Sequence, residues 1–227
     1  MQLKIKTSPN IFAMTLKPDS SPNFSLENNH DAVVIGIDEA GRGPIAGPVV
    51  AACVLLNQND FPQGINDSKK LSKAARKRIF SELQKKAKFG VGIVNEKIID
   101  QINILEATKL AMLQAYDDFC VKYKIFAKVI LVDGNFSPFE IKDKIEKIIP
   151  VIKGDQKSLS IAAASIIAKE TRDAIMDEIH EKYPQFAFDK HAGYPTKFHV
   201  EKVSEHGICK FHRRSFEPIK SMLNAGN

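Results

Sequence analysis

The amino-acid sequence predicts an α/β fold in which helices flank a mixed five-stranded sheet, with a helical extension at the C-terminal end. The order of the elements supports this prediction. Three strand-like apolar runs dominate the first part of the chain, and helices then alternate with strands until only helices remain. The chain has 227 residues, of which 44% are hydrophobic, and this is enough for one sizeable domain.

The first half of the domain is predicted to supply three strands and a helix. A short run rich in Val and Ile over residues 32–38 is typical of a buried strand. A second strand over 47–56 is expected to run antiparallel to the first across a short loop. Ser72 is the expected N-cap of a helix over 73–87, and a third strand is expected over 89–94.

The second half is predicted to alternate between helices and strands. Asn103 and Glu106 form the capping-box pattern with which a helix begins. The elements expected after that helix are a strand at 127–132, a polar helix at about 139–148, a short strand at 151–153 and a long helix at about 158–182. Pro184 ends the long helix, and two short helices are expected beyond about residue 185.

Residues 1 to about 30 are predicted to form a flexible extension of a domain that covers residues 31–227. They combine Pro, Ser and Asn with no sustained hydrophobic period, which favours a loosely ordered segment. They also lack the long apolar core of a secretory signal peptide. The domain itself is expected to end in the helical segment that begins at about residue 185.

Composition limits the classes of partner and compartment. The net charge of +6 and the pI of about 9.1 favour a polyanionic partner, most commonly nucleic acid, over a basic protein without such a partner. No apolar stretch approaches the ~20 residues that span a bilayer, so no membrane partner is expected. Three widely spaced cysteines without a CxxC pair indicate reduced thiols and a cytoplasmic location.

Three predicted strands end in acidic residues, and this pattern indicates a metal site. Asp38 and Glu39 end the first strand, Asp133 ends the fourth, and Asp155 follows the fifth. Ligands gather at strand ends in α/β sheets, where four carboxylates repel one another unless divalent cations neutralise them. Oxygen ligands suit Mg²⁺ or Mn²⁺, and a pair of such ions can promote phosphodiester hydrolysis. The alternative is that Asp133 and Asp155, each beside a glycine, mark ordinary turns.

A glycine-rich turn follows the first pair of acids. Adjacent residues on a strand point to opposite faces, so Asp38 and Glu39 can serve one site only if the chain turns there. Gly41 and Gly43, on either side of Arg42, supply such a turn and let another backbone approach closely. The glycine spacing matches neither a P-loop nor a dinucleotide-binding motif, so nucleotide binding is not indicated.

Basic and aromatic residues elsewhere are candidates for contact with a polyanion. Lys69 and Lys70 begin a stretch, ending at Lys88, in which nine basic residues occur with a single acid. This stretch predicts a strip that contacts phosphates, with a solvated helix face as the alternative. Tyr194, in a Gly-Tyr-Pro turn, is either a packed turn residue or an aromatic platform for a sugar or base.

Histidines in the C-terminal segment do not match the spacing of a standard zinc site. The group comprises His191, His199, His206 and His212, with Cys209 among them. Some of these histidines are instead expected on the nucleic-acid side of a basic tail that includes Lys197, Arg213 and Arg214.

Several motifs occur in a fixed order over about residues 32–218. They are Gly-Ile-Asp-Glu-Ala-Gly-Arg-Gly-Pro at 36–44, Asp-Ser-Lys-Lys-Leu-Ser at 67–72, Asn-Ile-Leu-Glu-Ala-Thr at 103–108, Val-Asp-Gly-Asn at 132–135, Gly-Asp at 154–155 leading into Ile-Ala-Ala-Ala-Ser-Ile at 161–166, His-Ala-Gly-Tyr-Pro-Thr at 191–196, and His-Arg-Arg-Ser-Phe at 212–216. In this order they resemble the motifs of the type 2 ribonucleases H, the bacterial ribonuclease HII group.

The resemblance implies an RNase H-like fold and an endoribonuclease. Such an enzyme hydrolyses the RNA strand of RNA/DNA hybrids and cuts 5′ to ribonucleotides embedded in duplex DNA, which leaves 5′-phosphate and 3′-hydroxyl ends. A monomer is expected. The implied catalytic residues, which hold two Mg²⁺ or Mn²⁺ ions, are Asp38, Glu39, Asp133 and Asp155.

The resemblance also implies how the substrate is recognised. The Gly-Arg-Gly loop senses the 2′-hydroxyl, which distinguishes RNA from DNA, and the tyrosine stacks at the RNA–DNA junction. The candidate substrate-binding residues are Gly41, Arg42, Gly43, Lys69, Lys70 and Tyr194.

Two alternatives stay open at the level of sequence. A ribonuclease HIII-type enzyme would carry a folded N-terminal binding domain and would lack the Gly-Arg-Gly loop, whereas Arg42 is present here after a short extension. A nucleic-acid-binding module without catalysis would not gain from four acids, because carboxylates weaken phosphate binding unless a metal is present. The stretch from Asp133 to Asp155 is longer than in some relatives, and Ala192 stands where many members carry lysine.

Overall fold

The computed structural model describes residues 21–140 and 144–225, and these contain the predicted five-stranded mixed sheet. The strands are β1 (Val34–Ala40), β2 (Val49–Leu55), β3 (Lys88–Val94), β4 (Val129–Asp133) and β5 (Lys147–Val151). Their order across the sheet is β3-β2-β1-β4-β5. β2 runs antiparallel to β1 and β3, which confirms the predicted pairing of the first two strands, and β4 runs parallel to β1 and β5.

Helices cover both faces of the sheet and make up the C-terminal segment. They are α1 (Lys73–Lys86), α2 (Glu96–Tyr123), α3 (Leu159–Lys182), α4 (Phe188–His191), α5 (Lys197–His206) and α6 (Ile219–Ala225). The Ser72 side chain caps α1 as predicted, and Ser158 caps α3. Across the two described ranges, no helix combines the length and apolar character needed to cross a membrane.

Alternating side chains of the central strands form two separate cores. Ile35 and Ile37 of β1 pack with α2 on one face, whereas Ala52 and Val54 of β2 pack with α1 and α3 on the other. At Gly36, a Cβ would lie 2.3 Å from the carbonyl carbon of Ser160. The missing side chain therefore lets α3 approach β1 closely, and this approach places α3 beside the acids at the end of β1.

The predicted polar helix at 139–148 is wrong. Residues 147–151 instead form β5, which pairs in parallel with β4 and opposes Ile148 to Ile130. Residues 141–143 of the prediction lie outside the described residues. Of the short strand expected at 151–153, only Val151 belongs to β5; residues 152 and 153 form a turn that leads into a 3₁₀ helix, Gly154–Gln156. Residues 147–151 form a strand because they pair with β4, and the local polarity of the sequence does not reveal this pairing.

The helix expected to begin at Asn103 begins earlier. Asn95 caps the start of α2, and Asn103, with a φ of 66°, marks a kink within the helix. The predicted capping contact is nevertheless present, because the Asn103 side chain accepts hydrogen bonds from the amides of Leu105 and Glu106.

Residues 21–30, expected in the N-terminal extension, pack against the domain. A short 3₁₀ helix, Glu27–Asn29, buries the Glu27 side chain. Glu27 Oε1 accepts hydrogen bonds from Ser158 Oγ at 2.6 Å and from the Ser160 amide at 3.0 Å. A carboxylate is favourable beside these amides at the start of α3. Residues 1–20 lie outside the described residues.

Candidate active site

The acids that end the strands gather at one edge of the sheet. Asp38 and Glu39 lie near the end of β1, Asp133 is the last residue of β4, and Asp155 lies in the 3₁₀ helix after β5. The carboxyl ends of β1, β4 and β5 meet at this edge because the three strands are parallel. Asp133 Oδ1 accepts a hydrogen bond of 2.6 Å from the Gly154 amide, which links β4 to the turn that carries Asp155.

The carboxyl groups of this edge repel one another in a poorly solvated environment. Burial raises the pKa of Asp38 well above its usual value, and the charges of Glu39 and Asp133 raise it further. Burial also raises the pKa of Glu39, although the Arg42 guanidinium opposes this. Burial and the charge of Asp133 raise the pKa of Asp155 to about 6. Nearby cations would relieve this repulsion.

Asp38 and Glu39 line one cleft of about 210 Å³. The expected turn at this pair is not present, because β1 continues past both acids to Ala40. Asp38 Oδ1 accepts a hydrogen bond of 2.7 Å from the Glu39 amide. Glu39 Oε1 lies 3.4 Å from Arg42 Nη1, whereas Glu39 Oε2 is buried and has no hydrogen-bond partner. A buried carboxylate oxygen without a partner, next to other carboxylates, is suited to accept a cation.

The donor atoms of the cleft fit hard divalent cations. Within residues 21–140 and 144–225, no group of three or more His, Cys, Asp or Glu side chains is arranged to hold a metal ion. An ion here would therefore be held by one or two carboxylates and completed by water or phosphate oxygens. Proteins commonly hold Mg²⁺ in this way, whereas zinc sites use three or four protein ligands.

Two residues that the sequence analysis did not select lie among the acids. The buried Asp67 side chain forms a hydrogen bond with the Asp155 side chain, and this contact contributes to the raised pKa of Asp155. Ser165 of α3 forms a hydrogen bond with Asp38. The Asp-Ser-Lys motif was a signal for Asp67, because it belongs to the family resemblance. Ser165 carried the same kind of signal, because it belongs to the Ile-Ala-Ala-Ala-Ser-Ile motif at 161–166.

The structure separates the two lysines that were predicted to bind substrate. Lys69 lines the cleft. Burial lowers its pKa, but the charges of Asp155 and Asp38 outweigh that effect and leave the pKa raised. Lys70 is exposed, and its side chain is not part of the cleft wall.

The basic strip expected from Lys69 to Lys88 is only partly free to contact phosphates. Arg76 is buried and forms hydrogen bonds with Glu170 and with Asp173, the latter at 3.3 Å. Arg78 Nη1 lies 2.5 Å from Glu82 Oε1. The prediction is wrong for Arg76, because acids on α3, distant in sequence, neutralise it.

The Gly-Arg-Gly loop and Tyr194 form a second wall of the cleft that Asp38, Glu39 and Asp133 line. Gly41 has a φ of +98°, and a Cβ there would lie 2.2 Å from Arg172 Nε, so only glycine fits. The Tyr194 ring is 47% exposed, and its Cε1 atom lies 3.5 Å from where a Cβ on Gly43 would stand. Arg42 also lines this cleft, and its side chain is 44% exposed. An exposed ring beside the loop favours the platform interpretation of Tyr194.

A buried arginine of α3 connects the loop to the turn that carries the tyrosine. Arg172 donates hydrogen bonds to the carbonyl oxygens of Pro48 and Ala192, each at 2.9 Å, and of Ala46 at 3.1 Å. Ala46 and Pro48 follow the Gly-Arg-Gly loop, and Ala192 precedes Tyr194 by two residues. The Arg172 guanidinium thus holds both the segment that follows the loop and the turn that carries Tyr194.

Two members of the histidine group, some of which were expected on the nucleic-acid side, are buried. His199 and His212 are 0% and 1% exposed, and burial lowers the pKa of each to about 4. His199 Nδ1 lies 2.8 Å from the Tyr194 carbonyl oxygen, and His212 Nε2 lies 3.1 Å from His199 Nε2. The Cys209 amide donates to His212 Nδ1 at 3.0 Å, so this nitrogen carries no proton and the His212 ring is neutral. The contact between the two Nε2 atoms therefore joins two neutral rings. The pair therefore supports the turn of Tyr194 from behind. Arg213, also expected on that surface, is likewise buried.

Comparison with known proteins agrees with this arrangement. Residues 35–219 match the family model for ribonuclease HII. Ribonuclease HII of Bacillus thuringiensis (strain Al Hakam) is 49% identical to this chain over 191 residues, which cover 84% of this chain and 71% of that protein. The matched range 35–219 spans all the acids, the loop and the tyrosine described above.

Solved structures share the fold. Ribonuclease H2 from Pyrococcus horikoshii OT3 superposes with a TM-score of 0.66 at 28% identity, covering 85% of this chain and 97% of that chain. The RNase HII of the PCNA:RNase HII complex from Archaeoglobus fulgidus gives a TM-score of 0.63 at 27% identity, covering 82% and 95% of the two chains. The sheet topology, the sequence match and these superpositions agree that this chain belongs to the ribonuclease HII family and is a ribonuclease H that acts on RNA/DNA hybrids.

Proposed function

We propose that this protein hydrolyses the RNA strand of RNA/DNA hybrids endonucleolytically and also cuts 5′ to ribonucleotides embedded in duplex DNA. One observation carries the proposal: a single cleft has carboxylates on one wall and the Gly-Arg-Gly loop with Tyr194 on the other. The first wall suits phosphodiester hydrolysis and the second suits recognition of a sugar. A scissile phosphate and its neighbouring ribose can therefore be engaged together.

The acids are the proposed catalytic residues. Asp38, Glu39, Asp133 and Asp155 would hold two Mg²⁺ or Mn²⁺ ions, which supply an activated water and stabilise the leaving 3′ oxygen when bound. Asp38 interacts electrostatically with both Glu39 and Asp133, so it is the central carboxylate of the group that would hold the ions. The expected products carry 5′-phosphate and 3′-hydroxyl ends. The Lys69 ammonium lines the same cleft and would balance phosphate charge beside these acids.

The loop and the tyrosine are the proposed substrate readers. The 2′-hydroxyl is the group by which a protein tells RNA from DNA, and backbone amides at Gly41 and Gly43 can contact it without reading a base. The exposed Tyr194 ring beside Gly43 would stack on the nucleotide at the RNA–DNA junction. Recognition would thus be independent of base sequence.

We also propose that the enzyme acts as a monomer in a reducing compartment such as the cytoplasm. Both walls of the cleft come from one chain, so a second copy is not needed to complete it. Cys53, Cys120 and Cys209 are free thiols, which suits such a compartment.

The decisive experiment is cleavage of a DNA duplex that contains one ribonucleotide. With Mg²⁺ we expect a single cut on the 5′ side of that nucleotide, and with chelator we expect none. An all-DNA duplex of the same sequence is the matched control and should stay intact. A cut at another position, or equal cutting of both duplexes, would contradict the proposed recognition of the ribose.

A further inference from the structure

The Gly-Arg-Gly loop is held from behind by a second buried guanidinium. Arg213 is 0% exposed, and it donates from Nη2 to the Gly41 carbonyl oxygen at 2.6 Å and from Nη1 to the Arg42 carbonyl oxygen at 3.1 Å. Its Nε donates to the Gly47 carbonyl oxygen at 2.9 Å. One planar group therefore contacts three carbonyls of a single turn.

The position of Arg213 is itself fixed. Its amide donates to the Ile45 carbonyl oxygen at 2.8 Å, within the turn that its side chain holds. The Phe216 ring lies against the guanidinium, with 4.9 Å between Cζ and the ring centroid. Arg213 is therefore a rigid support, since both its backbone and its side chain are bonded to the turn or packed beside it.

The carbonyl contacts determine where the loop amides point. In a planar trans peptide unit the N–H and C=O groups point in opposite directions. The carbonyls of Gly41 and Arg42 point toward Arg213, so the amides of Arg42 and Gly43 point away from it. These loop residues line the cleft, whereas Arg213 lies behind them. The amides therefore face the side from which a sugar would approach.

We propose that Arg213 is a positioning residue for ribose recognition, because it fixes the Gly-Arg-Gly peptide groups so that their amides face the substrate. This inference rests on the proposed function of the loop. Lysine cannot replace the guanidinium, since an ammonium is a point charge without the planar fork that reaches several carbonyls. The competing explanation is that Arg213 only stabilises the fold.

The test compares Arg213→Lys with wild-type protein and with Lys128→Arg as a control exchange between the same two residue types. Lys128 is an exposed residue that pairs with Glu146 and is not part of the cleft wall. Two readouts are needed: kcat/KM on the duplex with one ribonucleotide, and hydrogen exchange of the amides of residues 41–47. Arg213→Gln, which can still donate to one carbonyl, replaces Arg213→Lys if that variant does not fold.

For Arg213→Lys we expect kcat/KM to fall about 10- to 100-fold, as for a misplaced binding group, with faster exchange in residues 41–47. Lys128→Arg should match wild type in both readouts. Unchanged exchange in the loop would overturn the proposal. So would an activity loss fully explained by the unfolded fraction seen in thermal melting. If wild-type protein does not cut the duplex at all, the proposed function fails, and hydrogen exchange still decides whether Arg213 fixes the loop.

Discussion

The two walls of the cleft follow opposite physical rules. On the acidic wall, charges are crowded: burial and neighbouring charges raise the pKa of Asp38, and Glu39 Oε2 is buried without a partner. The second wall, called the bonded wall, is shaped by Arg172, Arg213 and His199, which give hydrogen bonds to backbone carbonyls of the loop and the tyrosine turn. A proposed ion-binding group thus keeps an unsatisfied oxygen, whereas the groups that orient the loop and the turn are hydrogen-bonded to backbone.

The first prediction breaks the acidic wall and has the largest expected effect. Asp133→Asn should reduce cleavage with Mg²⁺ by on the order of 10³-fold or more, because a ligand charge is lost while duplex binding survives. In chelator the variant should melt no lower than wild type, since the substitution relieves repulsion with Asp38 and an amide oxygen can still accept from Gly154. Cleavage rates and thermal melting check both parts. Full activity in the variant would refute the metal assignment.

The second prediction removes hydrogen-bond donors from the bonded wall. Arg172→Met should lower the free energy of unfolding by about 2–4 kcal/mol, because the buried carbonyls that it satisfies lose their donor. This loss is opposite in sense to the effect expected for Asp133→Asn in chelator. Denaturant unfolding of both variants measures the contrast, and equal stability losses would show that the two walls do not differ as described.

The third prediction concerns Tyr194, the exposed residue on the bonded wall. Tyr194→Ala should slow cleavage at a single ribonucleotide by about 10- to 100-fold, since base–aromatic stacking contributes roughly 1–3 kcal/mol. The melting temperature should change little, because the ring is 47% exposed. Initial rates on the duplex with one ribonucleotide provide the measurement. An unchanged rate would assign Tyr194 to packing of the turn.

The fourth prediction uses the buried histidines and concerns only how the stability of the protein depends on pH. The pKa values of His199 and His212 are about 4 when folded and about 6.5 when unfolded, so the unfolded chain binds more protons between these values. Their contribution to stability is present above about pH 6.5 and is lost as the pH falls toward 4. Each imidazole adds a slope of about 1.4 kcal/mol per pH unit.

The acids of the other wall complicate this measurement, because their raised pKa values contribute with the opposite sign. Comparison with His212→Asn, which keeps an acceptor for the Cys209 amide, isolates the histidine contribution. Denaturant unfolding between pH 7 and 4.5 should therefore show a flatter dependence in the variant than in wild type. Identical pH profiles would show that His212 does not titrate in this range.

The two walls also differ in how far the sequence could predict them. The acids were predictable because each follows an apolar strand, and strand ends of one sheet converge. The bonded wall could not be predicted, because its donors and acceptors are distant in the chain. Gly41 and Arg213, for example, are 172 residues apart. For the same reason Arg76 was taken for a phosphate contact and Arg213 for part of a basic surface, although both are buried against their partners. β5 was misplaced because its pairing with β4 is a tertiary contact.

The long separation between Gly41 and Arg213 has a consequence for synthesis of the protein. At roughly 5–20 residues per second, a ribosome needs about 9–34 s to add the 172 residues between them. The five strands and the four acids are complete once Asp155 has been translated, but the turn after β1 lacks its support until Arg213 is added. With the roles proposed above, a nascent chain therefore has the groups for cutting before the loop that selects a ribose is held in place.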